Sequence, residues 1–222
     1  MTRVLVTGAT GFLGGALVRQ LHASGIDVVA LGRDRHKLAQ LPVPETTRIA
    51  RDLSQPLGDL APSLEGVTAI VHCAAMSSPW GPYSTFYAAN VTATEALLTL
   101  GRQIGVAHFM HISTPSVYFR FADQLGVAED TPLPKPVNAY AKTKAIAESR
   151  VAHSGLAFTI LRPRGIYGRG DTGLLPRLLR AREVHLVVTG DDKRRVLRDA
   201  QRQDAGTGLP VAALLHARAD AP

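Results

Sequence analysis

A chain of 222 residues with 45% hydrophobic and 19% charged residues can bury one sizeable core and is short for two domains. No apolar run reaches the roughly 18 residues that a membrane span needs, and a single cysteine, Cys73, excludes an internal disulfide and favours a reducing, cytoplasmic setting. The net charge is +7, but no aromatic residue follows Gly168 to stack on bases, so we expect no nucleic-acid partner.

Short apolar runs alternate with amphipathic stretches along the first 161 residues, as in a parallel sheet covered by helices on both faces. The predicted strands cover residues 3–7, 27–31, 48–50, 69–72, 108–112 and 157–161. The predicted helices cover residues 12–24, 84–103 and 139–153. This alternation predicts right-handed crossovers and an α/β fold with a doubly wound, Rossmann-like parallel sheet.

The eight His residues are scattered along the chain. His108 and His111 lie three residues apart on the fifth predicted strand, which points them to opposite faces of the sheet. We therefore expect no metal site.

A glycine-rich loop follows the first strand and opens the first helix; it reads Thr7-Gly-Ala-Thr-Gly-Phe-Leu-Gly14. Gly8 allows the tight turn, Gly11 lets the backbone approach a pyrophosphate, and Gly14 lets helix and strand pack closely. The phosphates would bind the free N–H groups at the positive end of the helix. These groups include the N–H groups of Phe12 and Leu13 in the first turn. Because the loop lies between a strand and a helix, it predicts a dinucleotide site.

The residues after the second strand favour a nucleotide with a 2′-phosphate. In folds that bind NAD, an acidic residue at the end of the second strand hydrogen-bonds the ribose 2′-hydroxyl. This chain has Gly32 at that position, and Arg33 follows it. Arg35 and Lys37 add positive charge nearby. Since an arginine suits a 2′-phosphate, NADP is favoured over NAD. The alternative is that Arg33 is a solvated loop residue and that Asp34 binds the hydroxyl.

Tyr140 and Lys144 lie four residues apart on the third predicted helix, so their side chains fall on one face. A cation near a phenol favours the phenolate and would lower the Tyr140 pKa from its free value of about 10. Such a tyrosine could exchange protons with a carbinol or a ketone. The spacing alone is common on solvated helix faces, so its significance depends on the nucleotide site.

Further motifs follow the glycine loop in a fixed order along the chain. They are Asp52-Leu53, His72-Cys-Ala-Ala75, Asn90-Val-Thr92, Ser113-Thr-Pro-Ser-Val-Tyr118, Tyr140-Ala-Lys-Thr-Lys144 and Arg162-Pro-Arg-Gly-Ile-Tyr-Gly168. With these motifs, the chain resembles the extended short-chain dehydrogenase/reductases from about residue 3 to residue 179. The resemblance implies an NAD(P)-dependent enzyme on a Rossmann fold.

The resemblance implies three catalytic residues. Thr114 falls at the position of the family's catalytic Ser or Thr and would hydrogen-bond the substrate oxygen, although Ser113 or Ser116 could replace it. Tyr140 would deliver or remove the proton. Lys144 would hold the nicotinamide ribose and lower the Tyr140 pKa. Hydride transfer itself belongs to the cofactor.

The resemblance also implies cofactor contacts beyond the glycine loop, Arg33, Tyr140 and Lys144. Asp52 would hold the adenine amino group, with Leu53 packed beside it. The other implied cofactor contacts are Cys73, Ala74, Ala75, Asn90, Pro163, Gly165 and Ile166.

Three stretches narrow the resemblance to the 3β-hydroxysteroid dehydrogenase and 2-alkyl-3-oxoalkanoate reductase branch; they are residues 76–83, 86–91 and 113–119. This branch implies an oxidoreductase that interconverts a β-hydroxy and a β-keto group on an apolar, small-molecule ketone or alcohol. Trp80 would either contact that substrate or cover the edge of the core. A homodimer is left open.

Two alternatives to this function remain. Sugar-nucleotide epimerases and dehydratases share the same motifs, although many carry Gly where this chain has Phe119 after Val117-Tyr118, which disfavours that reading. The second alternative is a catalytically weak nucleotide-binding fragment.

The last part of the chain departs from the resemblance after about Gly190, where the composition changes abruptly. We predict an NAD(P)-binding Rossmann domain over residues 1–167 and a reduced, atypical substrate region over residues 168–222 that is poorly ordered after about residue 190. A shifted reading frame or a truncation near residues 189–193 would explain the change. An incomplete substrate region would leave cofactor binding intact and turnover weak.

Overall fold

The computed structural model of the chain describes residues 2–78, 80–168 and 170–171. The chain divides into two compact units, Met1–Arg164 and Gly165–Pro222. The predicted boundary between residues 167 and 168 stays a prediction. The predicted poor order after about residue 190 and the altered sequence near residues 189–193 lie outside the described residues.

Among the described residues, six parallel strands form one sheet in the spatial order β3-β2-β1-β4-β5-β6. They are β1 (Arg3–Thr7), β2 (Asp27–Gly32), β3 (Arg48–Ala50), β4 (Ala69–His72), β5 (His108–Ile112) and β6 (Phe158–Leu161). The strand order reverses between β1 and β4, and ligands of such sheets bind beyond the carboxyl ends of the strands at this point. The predicted doubly wound α/β fold is confirmed.

The described α-helices are α1 (Phe12–Ala23), α2 (Arg35–Ala39), α3 (Tyr83–Tyr87), α4 (Ala93–Ile104) and α5 (Ala139–Ala152). A π-helical segment, Ala88–Thr92, joins α3 to α4, so the predicted helix 84–103 contains one wider turn. The sequence pattern did not predict α2, which is too short to show a helical period. Among the described residues, no helix has the length and apolar content to cross a bilayer.

The apolar character of the strands is explained by burial on both faces of the sheet. Val4 and Val6 pack in one cluster with Val18 of α1, and Leu5 packs in another with Leu97 of α4. Successive residues of β1 therefore point into two separate cores. Each such fully buried side chain contributes about 1.5–3 kcal/mol.

Candidate active site

A cavity of about 580 Å³ lies at the carboxyl ends of β1, β2 and β4, within the size range of small-molecule sites. Eight of the residues predicted to contact a cofactor line it: Gly8, Gly11, Arg33, Asp52, Leu53, Cys73, Ala74 and Ala75. Burial raises the pKa of the Cys73 thiol to about 12, so this residue is a neutral part of the wall.

The glycine loop is packed so closely that side chains would not fit at two of its positions. Gly8 has a φ of 66°, and a Cβ there would lie 2.7 Å from the backbone nitrogen of Ala74. A Cβ at Gly14 would overlap the carbonyl oxygen of Gly8. The loop and the first turn of α1 are therefore held together by backbone contact.

The N-terminus of α1 is left open to an anion. Gly11 occupies the N-cap without a side-chain cap, and the first turn carries no acidic residue. The N–H groups of the first turn, which includes Phe12 and Leu13, have no acceptor within the helix. Together with the positive end of the helix dipole, they form the kind of site that binds phosphate.

At the other end of the cavity, Arg33 lies near Asp52. Two hydrogen bonds from Ser54, from its N–H at 2.9 Å and its hydroxyl at 2.8 Å, lower the pKa of Asp52, and the charge of Arg33 lowers it further. A Cβ at Gly32 would lie 2.7 Å from Cγ2 of Thr10, so an acidic side chain does not fit there unless Thr10 moves.

Two other charged residues border this region. Asp34 caps α2 by accepting a hydrogen bond from the Lys37 N–H at 3.1 Å, and it is not among the residues that line the cavity, which disfavours the alternative in which Asp34 binds a ribose hydroxyl. Arg51, which the sequence analysis did not single out, also lines the cavity. Its guanidinium is 2.7 Å from Asp59 and donates to the Pro56 carbonyl oxygen at 2.8 Å.

Lys144 is almost fully buried, and its Nζ reaches β5. It lies 3.0 Å from Nε2 of His111 and donates to the Ile112 carbonyl oxygen at 2.7 Å. Burial lowers the pKa of Lys144 to about 8, against the opposing effect of Glu148 one turn further along α5. The ammonium is therefore directed into the sheet by two acceptors on consecutive residues.

Tyr140 is half-buried, and burial raises its pKa, while a hydrogen bond with Thr114 acts to lower it. The prediction that Lys144 lowers the Tyr140 pKa is wrong for this structure, because burial is the largest influence and the Lys144 ammonium is directed to His111 and Ile112. At neutral pH, Tyr140 is a protonated phenol, the form that can give a proton to a carbonyl oxygen.

The hydroxyl groups of the Ser113-Thr-Pro-Ser116 turn differ in their partners. Thr114 accepts from the Ser116 N–H at 3.2 Å and donates to the Ser116 hydroxyl at 3.1 Å, and its hydroxyl lies close enough to Tyr140 to act on the Tyr140 pKa. The Ser113 hydroxyl is buried without a hydrogen-bond partner among the described residues. This geometry favours Thr114 as the hydroxyl that acts together with Tyr140.

Asn90 lies in the π-helical segment and is buried, and it is not among the residues that line the cavity. Its Oδ1 accepts from the Met76 N–H at 2.8 Å, and its Nδ2 donates to the Met76 carbonyl oxygen at 3.1 Å and to the Thr143 hydroxyl at 3.0 Å. Both amide hydrogens are thus used within the protein. Asn90 thus joins the loop after β4 to α5, and its predicted contact with a cofactor stays a prediction.

The remaining predicted residues lie at the end of β6 or in loops. Pro163 is half-buried after β6, whereas Gly165 and Ile166 belong to the unit Gly165–Pro222, so their contacts with a nicotinamide stay predictions. Trp80 is 82% exposed, so it does not cover the edge of the core. Within the described part of the chain, no three His, Cys, Asp or Glu side chains form a group that could hold a metal ion.

The NAD dependent epimerase/dehydratase family matches this chain over residues 4–199. A 2-alkyl-3-oxoalkanoate reductase from Stenotrophomonas maltophilia is 38% identical over 206 residues, which are 87% of this chain and 60% of the relative. A decarboxylating sterol-4-alpha-carboxylate 3-dehydrogenase from Homo sapiens is 31% identical over a match that covers 81% of this chain and 48% of the relative's length. The chain spans about half to three fifths of the length of these relatives.

Solved structures show the same architecture. DesIV, a dTDP-glucose 4,6-dehydratase from Streptomyces venezuelae solved with NAD bound, superposes with a TM-score of 0.70 at 32% identity. The match covers 80% of this chain and 61% of that protein.

Proposed function

Since the chain belongs to the NAD dependent epimerase/dehydratase family, we propose that it is a nicotinamide-dependent oxidoreductase that interconverts a β-hydroxy and a β-keto group on an apolar substrate. The observation that carries the proposal is the joint placement of Tyr140, Thr114 and Lys144 at the carboxyl ends of the strands. Relatives named as a reductase and a 3-dehydrogenase support the reaction type.

The residues around the cavity suit a dinucleotide. The glycine loop brings backbone within reach of a pyrophosphate, and the open N-terminus of α1 offers N–H groups and positive potential to it. The carboxylate of Asp52 and the side chain of Leu53 line the cavity beyond this loop. DesIV, which was solved with NAD bound, agrees with this fit.

At the ribose end, we favour NADP over NAD. Gly32 presents no carboxylate to a 2′-hydroxyl, and Asp34 caps α2 and does not line the cavity. The Arg33 guanidinium lies at the cavity and close enough to Asp52 to lower its pKa. A 2′-phosphate would give this arginine a strong, charge-assisted partner.

For the chemical step, the bound cofactor would supply or accept the hydride. The protonated Tyr140 would give its proton to the ketone oxygen in the reducing direction, while Thr114 would hydrogen-bond the same oxygen. An ammonium has three N–H groups. Lys144 uses two on β5, which leaves one for the nicotinamide ribose.

Exposed apolar side chains support an apolar substrate. Trp80 after β4 is 82% exposed, and Phe121 and Leu125 after β5 are 89% and 97% exposed. Both loops leave the carboxyl edge of the sheet, where substrates of this architecture bind. The predicted small-molecule partner is therefore a ketone or alcohol with an alkyl or ring body, while the homodimer and the cytoplasmic location stay predictions.

The likeness to DesIV keeps a sugar-nucleotide epimerase or dehydratase as a second candidate. Phe119 argues against it, because its exposed ring packs edge-on against Phe121 at 5.2 Å and adds to the apolar surface after β5. A catalytically weak nucleotide-binding protein is a third candidate.

A substrate panel separates these candidates. The purified chain is mixed with NADPH or NADH and, in turn, a 2-alkyl-3-oxoalkanoate, a 3-ketosteroid and dTDP-glucose, and nicotinamide absorbance and products are followed. We expect NADPH to be oxidised with an apolar ketone. Conversion of the sugar nucleotide with retained NAD⁺ would establish the second candidate, and dinucleotide binding without any turnover would establish the third.

A further inference from the structure

A row of three polar residues crosses the centre of the sheet at its carboxyl edge. Thr7 of β1 is in register with His72 of β4, which is in register with His111 of β5. A second row lies two residues earlier on each strand, on the same face of the sheet. It is apolar and consists of Leu5, Ile70 and Phe109. All three polar residues are buried, so their hydrogen bonds determine their protonation.

The hydrogen bonds of His72 fix its tautomer. The Thr94 hydroxyl donates to the Asn90 carbonyl oxygen at 2.7 Å, so it can only accept from Nε2 of His72 at 3.1 Å. Nδ1 of His72 therefore accepts from the Thr7 hydroxyl at 2.7 Å. Burial lowers the pKa of His72 to about 3, so this neutral ring carries its hydrogen on Nε2.

His111 must have the opposite tautomer. Its Nε2 lies 3.0 Å from Nζ of Lys144, and an ammonium can only donate. Nε2 is therefore the acceptor, and the hydrogen of the neutral ring lies on Nδ1, which has no hydrogen-bond partner among the described residues. The two imidazoles, with centroids 5.3 Å apart, are thus both neutral but differ in the nitrogen that carries the hydrogen.

We propose that His111 is the positioning residue of Lys144: its Nε2 accepts one N–H of the ammonium while the Ile112 carbonyl oxygen accepts the second, and this directs the third towards the ligand. The proposal rests on the proposed function only where it takes that ligand to be the nicotinamide ribose. Neither acceptor is charged, so the lysine keeps its full positive charge for the ligand.

Several titratable groups face the Lys144 ammonium; they are Glu148 on its own helix, Cys73 and His72 from the β4 side, and His111 on β5. Glu148 is ion-paired to Arg162, whose guanidinium donates to its two oxygens at 2.9 and 2.7 Å, and its charge still acts to raise the Lys144 pKa. Burial lowers the pKa of both histidines and raises that of Cys73, so these three groups are neutral around pH 7. Among these groups, the His111 ring is the one that accepts a hydrogen bond directly from the Lys144 ammonium, and a substitution can remove this acceptor.

The tautomer is tested on the wild-type protein by ¹⁵N NMR after selective labelling of histidine. At pH 7, we expect the His111 ring to show a protonated Nδ1 and an unprotonated Nε2, and the His72 ring to show the reverse. A His111 ring that carries its hydrogen on Nε2, or that is an imidazolium, would overturn the proposal. This measurement needs neither cofactor nor substrate.

Three variants test the positioning role: His111→Leu removes the acceptor, His111→Gln keeps one in its amide oxygen, and His108→Leu is the matched control. His108 is on the same strand and bonds to the Thr159 hydroxyl at 2.9 Å, away from Lys144. The readouts are the Lys144 pKa, from ¹³C-lysine NMR assigned with Lys144→Met, and the affinity for NADPH from fluorescence titration.

In His111→Leu, we expect the Lys144 pKa to fall by about one unit and the NADPH affinity to fall about tenfold, because a buried ammonium loses an acceptor. His111→Gln and His108→Leu should stay near wild type in both readouts. The proposal is overturned if His111→Leu behaves like wild type, or if His111→Gln loses as much as His111→Leu. If the wild-type protein binds no dinucleotide, the proposed function fails, while the tautomer and the lysine titration still decide this inference.

Discussion

Tyr140 and Lys144 lie on the same face of α5 but bind different partners. Tyr140 lies near Thr114 and has a pKa raised by burial, whereas Lys144 donates to His111 and Ile112 on β5. The sequence spacing predicts the shared helix face correctly, because i and i+4 positions follow from helix geometry. It does not show that the lysine is directed into the sheet, since that depends on acceptors 32 and 33 residues away.

The choice of dinucleotide also depends on single residues. Arg33→Ala should weaken NADPH binding about 10- to 100-fold, because a charge-assisted hydrogen bond to the 2′-phosphate is lost, and should change NADH binding little. Arg19→Ala is the matched control, since Arg19 is exposed on α1 and does not line the cavity. Parallel fluorescence titrations with the two dinucleotides measure both effects. Equal losses for NADPH and NADH in Arg33→Ala would contradict the assignment.

At the scale of elements, the π-helical segment between α3 and α4 joins the loop after β4 to α5. It contains Asn90, whose amide bridges Met76 and Thr143, and whose carbonyl oxygen accepts from the Thr94 hydroxyl. The loop after β4 and the helix that carries Tyr140 are thereby held by one residue. Such wider turns are often found at functional sites.

Asn90→Ala should lower the free energy of unfolding by about 1–3 kcal/mol, because it leaves the half-buried N–H of Met76 and the buried hydroxyl of Thr143 without this partner. Urea denaturation measures the change. Thr99→Ala, at an exposed position on α4, serves as the control and should stay within about 0.5 kcal/mol of wild type. A loss for Asn90→Ala no larger than that of the control would show that the bridge is not stabilising.

The elements differ in how far the sequence predicts them. The six strands follow from short apolar runs, because strands buried on both faces must be apolar throughout. The π-helical segment could not be foreseen, because a shift of one hydrogen bond leaves the composition of the helix unchanged. His72 and His111 were missed as a pair, because only the strand register brings them together. A repeated pattern, Ile70-Val-His72 and Phe109-Met-His111, is the signal that could have shown them.

On the scale of the whole molecule, two neutral histidines in the core make stability depend on pH. Burial lowers the pKa of His72 to about 3 and lowers that of His111 as well, whereas both titrate near 6.5 in the unfolded chain. The unfolded state therefore binds more protons than the folded state below about pH 6.5. As the pH falls from there towards the folded pKa, each histidine lowers the free energy of unfolding by about 1.4 kcal/mol per pH unit.

We therefore expect the contribution of these two histidines to the free energy of unfolding to be constant above about pH 7. Between about pH 6 and pH 4, it should make the free energy of unfolding fall steeply. Urea denaturation at several pH values measures the slope. The slope measures the number of protons that the chain takes up on unfolding. His72→Gln should reduce this number by about one, while His22→Gln, at the solvent-facing side of α1, should leave it unchanged. A slope that is the same in all three proteins would contradict the assignment of neutral buried histidines.

The role of Tyr140 as proton donor is tested most directly by the rate of NADPH-dependent reduction of a 2-alkyl-3-oxoalkanoate by the wild-type chain and by Tyr140→Phe. Tyr140→Phe should lower turnover about 10²- to 10⁴-fold, because the proton donor is lost, while NADPH affinity stays within about threefold. Tyr83→Phe, on α3, is the matched control and should keep wild-type turnover. Equal turnover in Tyr140→Phe and wild type would contradict the central claim.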